Sequence, residues 1–183
     1  MTLGPRGAHT DETRTFNTLL DGCRRAYDLV PYQWTAAVDI KRTALYRYRA
    51  GLDEPSVPVL ARLVRAAART LAHLSIRASE LCYLGEDQPL GRLAVRHRKF
   101  QPSIAYAYYD TRLDRYLLLF NIEPTYLARV SGVARQLLLK KRPGAPIMPS
   151  TLARLLIALR QMGYDVRASY LADVGDDELT LAA

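Results

Sequence analysis

The feature that most constrains this chain is that part of it occurs twice. PYQWTAAVDIKRTALYRYRAG (31–51) aligns without a gap on PTYLARVSGVARQLLLKKRPG (124–144). Pro31 meets Pro124, Trp34 meets Leu127, Ile40 meets Val133, Arg42 meets Arg135, Leu45 meets Leu138, Arg47 meets Lys140, Arg49 meets Arg142 and Gly51 meets Gly144. Both copies run on to Pro-Ser (55–56 and 149–150) and to LARL (60–63 and 152–155). A unit that recurs along a chain must fold locally, so the fold is expected to contain two copies of one small helical motif.

Each copy has helical periodicity. In the first, Phe16, Leu19, Leu20, Cys23, Tyr27 and Val30 recur at the spacing of one helix face, predicting a helix from Thr15. Pro31 suits the first turn of a second helix, in which Trp34 and Val38 form an i, i+4 apolar pair. Asp39 interrupts it, Ile40 turns inward, and residues 41–49 form a third short helix that Gly51 ends. Ser56 offers a cap for a longer amphipathic helix over VPVLARLVRAAARTLAHL. In the second copy the Leu113, Tyr116, Leu117, Phe120 face of DTRLDRYLLLFNI stands where the first helix would be.

Three short helices with a tight break between the second and third, then a closing helix, describe a helix-turn-helix arrangement. Residues 15–72 resemble the Cro and phage-repressor-like (XRE-type) family in Trp34, Val38, the turn residue Ile40, the inward Leu45 and Tyr48, Gly51 and Pro55-Ser56 before LARL. The second copy resembles it too, with Leu127-Ala128 on helix two and Gly132-Val133 in the turn. The resemblance implies a glycine where Asp39 stands, and aspartate can take the same left-handed conformation at some cost. It also implies a glutamate two residues before Gly51, paired with an arginine of the first helix. Arg49 and Arg24 stand there instead, so that buried pair is expected to be absent and Arg49 to be open to solvent or phosphate.

The fold class is therefore mainly α: two repressor-like helical domains joined by a helical linker, with room for a few short β-strands in the C-terminal half. The expected division is a flexible arm at 1–14, an N-terminal domain at 15–72, a linker with a helix at 73–100, and a C-terminal domain at 101–183 holding the second motif. HLSIRASELCYL can extend the closing helix or form a linker helix, and YDVRASYL reads as a short strand.

Charge points to a polyanionic partner. Lys and Arg number 26 against 18 Asp and Glu, a formal +8, and DIKRTALYRYRAG has no acid after its first residue. Double-stranded DNA is the expected partner. The resemblance puts Arg42, Thr43 and Arg47 against bases, with Lys41 and Tyr46 beside them, and Arg135, Gln136 and Lys140 in the same slots of the second copy, on helices at 41–49 and 134–142. Arginine can bind the guanine O6 and N7 bidentately, glutamine can read adenine, and the threonine methyl suits thymine. Arg49, Arg129, Lys141 and Arg142 suit phosphates, which add affinity and salt dependence without sequence information.

Other chemistries find little support. There is no glycine-rich phosphate loop, no G-x-S-x-G and no carboxylate dyad, so no enzymatic activity and no cofactor are expected. His73 and His97 lack neighbours at ligand spacing, arguing against a metal site, and the tyrosines at 106, 108, 109 and 116 read as core before base-stacking platforms. Cys23 and Cys82 sit in apolar helical contexts as buried free thiols, which fits the cytoplasm. No apolar run is long enough to span a bilayer. The resulting expectation is a sequence-specific transcription regulator, a repressor, acting as a monomer that uses both motifs or as a homodimer. The alternatives are a protein-interaction adaptor or antitoxin-like module with loose DNA affinity, and a replication or architectural DNA-binding protein.

Overall fold

The structure, a computed structural model, describes residues 15–71, 76–91, 111–139 and 147–175. Among them are ten helices and no strand: α1 (Leu19–Ala26), α2 (Pro31–Val38), α3 (Arg42–Arg49), α4 (Val57–Thr70), α5 (Ala78–Leu81), α6 (Arg112–Leu119), α7 (Pro124–Ser131), α8 (Arg135–Leu139), α9 (Pro149–Gln161) and α10 (Ala168–Leu171). The protein is mainly α-helical.

Local chemistry sets the boundaries. Thr18, not Thr15, starts α1: its backbone is extended and its hydroxyl accepts from the Asp21 amide at 3.1 Å, satisfying one of the donors a helix leaves open. Pro31 begins α2, where its missing N–H costs nothing. Asp39 ends it in the left-handed region at φ 54°, the conformation that Gly132 adopts at φ 63° after α7. Gly51 turns the chain out of α3 at φ 69°. Ser56 stands at the N-cap of α4, yet its side chain makes no capping bond. The Val57 amide bonds instead to the Ile147 carbonyl at 2.8 Å, a group from the other half of the chain.

The repetition extends well beyond the 21 aligned residues. The helices α6, α7 and α8 each start 93 residues after α1, α2 and α3, and α9 and α10 follow as counterparts of α4 and α5. Thr111 caps α6 as Thr18 caps α1, accepting from the Asp114 amide at 3.1 Å. The left-handed residues also correspond: Asp28 with Asn121, Asp39 with Gly132, and Gly85 with Gly175. Among the described residues each half thus holds five helices.

The region expected as a linker with a helix does hold one, α5; Ile76, Ala78, Leu81 and Leu84 are buried, and α5 packs on α1 and α4. The strand expected around YDVRASYL is replaced by α10, which packs on α6.

A single apolar cluster runs through both halves. Trp34, 2% exposed, lies within it and donates its indole N–H to the Leu63 carbonyl at 3.2 Å, tying α2 to α4. The halves clasp each other reciprocally. A Cβ on Gly85 would come within 2.6 Å of Ile157 Cγ1 and 3.3 Å of the Ala153 oxygen on α9, while one on Gly175 would lie 2.6 Å from the Ala61 oxygen on α4. Ala61 and Ala153 are the same residue of the two LARL segments, so equivalent loops press on equivalent helices, as in an isologous dimer interface. Polar links reinforce the clasp: Arg65 pairs with Asp173 at 2.6 Å, the Ala168 amide donates to Glu86 Oε1 at 2.8 Å, and Glu54 accepts from the Ser150 hydroxyl at 2.7 Å and from its amide at the start of α9. A carboxylate there also complements the positive end of the helix.

Candidate nucleic-acid interface

The surface of α3 comes from its own sequence pattern and from one buried ion pair. Leu45 is buried and Tyr48 half-buried, which anchors one side of the helix and leaves Lys41, Arg42 and Thr43 exposed at its N-terminal end. Tyr46 is half-buried, with its ring 5.3 Å from that of Phe16 in an edge-on arrangement. Arg47 is exposed, and its guanidinium grips Asp53 in a fork, Nε to Oδ2 at 2.5 Å and Nη2 to Oδ1 at 3.0 Å. That carboxylate raises the Arg47 pKa through its hydrogen bond and charge, and the arginine in turn lowers Asp53. A concavity of about 360 Å³ runs along this face, bounded by Pro31, Arg42, Tyr46 and Leu52 among others.

Arg49 corrects the expectation drawn from the family. It is 2% exposed and is not available to phosphate. Its Nε lies 2.8 Å from Oδ1 of Asp21, itself fully buried, and its guanidinium stacks 5.5 Å from the Phe16 ring. The ion pair between helix one and helix three is thus present with its polarity reversed, the acid on α1 and the base on α3. Asp21 gathers further donors: the Phe16 amide at 2.9 Å, Arg24 at 3.1 Å and Arg25 at 3.4 Å. Burial alone would raise its pKa. The Phe16 amide, Arg49 and Arg24 outweigh that and hold it below its ordinary value. The Thr18 hydroxyl completes the junction by donating to the Arg49 carbonyl at 2.7 Å. Asp21 was missed in the sequence, although one signal was present: an acid between the core residues Leu20 and Cys23, repeated as the buried Asp114 between Leu113 and Tyr116.

The second copy presents a sparser surface. Arg135 and Gln136 are exposed on α8, Leu138 is buried, and Leu137 is 51% exposed where a groove-facing helix would hold a polar residue. Arg129 is exposed on α7 with its guanidinium 5.1 Å from the Tyr126 ring centre. Lys140, Lys141 and Arg142 lie outside the described residues, as do His73, His97 and the tyrosines at 106, 108 and 109. Arg154 of α9 donates to the Ser131 carbonyl at 3.2 Å and to that of Gly132, fixing the turn between α7 and α8.

Among the described residues no helix is long and apolar enough to cross a membrane. Cys23 is buried with its thiol pushed up to about 11 by burial, whereas Cys82 is only half-buried, its thiol pushed up to about 12 for the same reason. No protein-family model, curated protein or solved structure matches the chain.

Proposed function

We propose that this protein is a sequence-specific double-stranded DNA-binding transcription regulator of the Cro/phage-repressor-like type, acting as a repressor in the cytoplasm. The observation that carries the reading is the α3 surface. Lys41, Arg42 and Thr43 are exposed together at the N-terminal end of a short helix whose other side is fixed by Leu45 and the buried Arg49–Asp21 pair. A groove-reading helix needs this combination of donors at its leading end and a rigid seat behind them, since base contacts reward a few ångströms of placement. Arg135 and Gln136 occupy the equivalent positions on α8.

The reciprocal clasp supports a further element of the reading. Most such regulators bring two recognition helices together by pairing two chains. Here one chain carries both copies, and their interface has the isologous character of a dimer. The unit that binds DNA is then a single chain, and its site consists of two unlike boxes, because Lys41-Arg42-Thr43 and Ala134-Arg135-Gln136 differ.

A competitor titration tests the reading. Labelled genomic fragments bound at near-physiological salt are challenged with excess random duplex; retention of a small subset supports sequence-specific binding. Uniform displacement overturns it in favour of a protein-interaction module with loose DNA affinity, to which the exposed Leu137 on α8 lends support.

A further inference from the structure

The clasp between the halves is built twice and finished differently each time. Where the loop after α10 meets α4, Asp173 pairs with Arg65 at 2.6 Å and the ion pair spans the junction. Where the loop after α5 meets α9, the repeat sets other chemistry in the same places. Counted from Gly85 and Gly175, Tyr83 stands for Asp173; counted along the two LARL segments, Ile157 stands for Arg65. No ion pair can form between that tyrosine and that isoleucine. A groove of about 470 Å³ opens at this junction, lined by Leu19 and Leu20 of α1, Tyr48 of α3, Pro55, Tyr83 and Ile157.

The walls of the groove are apolar and open to solvent. Leu19 is 49% exposed and Tyr83 54%. The Tyr83 hydroxyl already donates to Asp87, which leaves its ring as the surface offered to the groove. A single exposed leucine is ordinary on a protein surface. Two large exposed side chains lining one groove, at the junction of two packed units, match the usual setting of a small-molecule site, and the volume falls within the usual range. The other junction shows that the fold can close this place with a salt bridge, so the apolar opening is a property of these residues and not of the architecture.

The polar rim defines the charge of the ligand. Three charged side chains line the groove, Asp53, Glu54 and Arg154, and each already has partners. Asp53 holds Arg47 in its fork, Glu54 accepts from the Ser150 hydroxyl at 2.7 Å and from its amide, and Arg154 donates to the Ser131 carbonyl at 3.2 Å and to that of Gly132. A charged ligand would give up hydration without gaining an unpaired opposite charge, whereas an apolar one gains from burial and disturbs none of these bonds. We propose that the groove between α1, the loop after α5 and α9 binds an uncharged, apolar molecule of one or two rings, seated against Leu19, Leu20, Tyr48, Pro55, Tyr83 and Ile157. Its occupant touches both halves, so binding strengthens the clasp. The site stands whether or not the chain reads DNA.

Calorimetric titration of the full chain with indole, tryptamine and indole-3-acetate tests it, since the three share a ring system and differ in charge. The expected result is saturable 1:1 binding of indole with a rise in the unfolding temperature, and about tenfold weaker binding of both charged analogues. The double variant Tyr83→Asp/Ile157→Arg, which copies the ion pair of the other junction, should fold and abolish binding. Leu19→Asp puts a charge on the groove wall at the first residue of α1, where an acid suits the helix end, and should weaken indole about tenfold while the chain stays folded. Absence of saturable indole binding, a charged analogue that binds as tightly as indole, or binding unaffected by both variants would overturn the proposal. So would self-association that Leu19→Asp abolishes in a chain that takes up no indole, since a second copy would then cover the groove.

Discussion

Arg49 on α3 reaches Asp21 on α1 across 2.8 Å, and neither side chain is exposed beyond 3%. A buried pair of this kind adds little net stability over an apolar pair of the same size, yet removing one partner strands a charge in the core. Arg49→Ala should therefore cost about 3–5 kcal/mol in urea unfolding, and the double change Asp21→Leu/Arg49→Met should recover part of that loss. Costs that simply add, the double change losing as much as the two single changes together, would show that the pair is not coupled.

The same carboxyl gives a pH dependence. Its folded pKa lies below the ordinary 3.8, so its contribution is fully present above that value and is lost as the pH falls through the lower folded pKa. The stability gap between the natural protein and Asp21→Asn should therefore be constant at neutral pH and shrink in strongly acidic solution. Paired urea titrations across that range check it.

The clasp between halves makes a directional prediction. Gly175 has φ 92° and a Cβ there would meet backbone, the Ala61 oxygen, at 2.6 Å; Gly85 has φ 73° and would meet the Ile157 side chain at 2.6 Å, with backbone only at 3.3 Å. The left-handed backbone alone costs a non-glycine residue about 1–2 kcal/mol. Gly175→Ala should exceed that and should cost more than Gly85→Ala, as measured by thermal unfolding of the two variants.

On the proposed DNA-binding reading, Asp53 would act as a brake on Arg47, whose guanidinium it holds in a fork. Asp53→Ala releases that guanidinium, so affinity should rise and the slope of log K against log salt should steepen by about one phosphate contact. Arg42→Ala should instead cost about 1–3 kcal/mol at one box of the site and leave the other unchanged. Fluorescence anisotropy at several salt concentrations, with each box mutated in turn, separates the two effects.

Much of this was legible in the sequence where punctuation is strong. Pro31 and the Val38-Asp39 step set the limits of α2, and the gapless repeat predicted α7 at its observed limits. The four-residue helix α10 was not legible, because one turn has no periodicity; its buried residues read equally as strand. Arg47 and Asp53 meet across the Gly51 turn, whose backbone geometry rather than any helical spacing brings them together. The reversed ion pair was not legible because the resemblance implies an acid where Arg49 stands and a base on the first helix, and no helical spacing brings Asp21 to Arg49 across 28 residues.

The most direct single measurement is the selection of bound sequences from a random duplex library by the full-length protein at near-physiological salt. An asymmetric motif of two unlike boxes is the expected result. A palindrome would contradict reading by both copies within one chain, and no enrichment would contradict sequence-specific DNA binding itself.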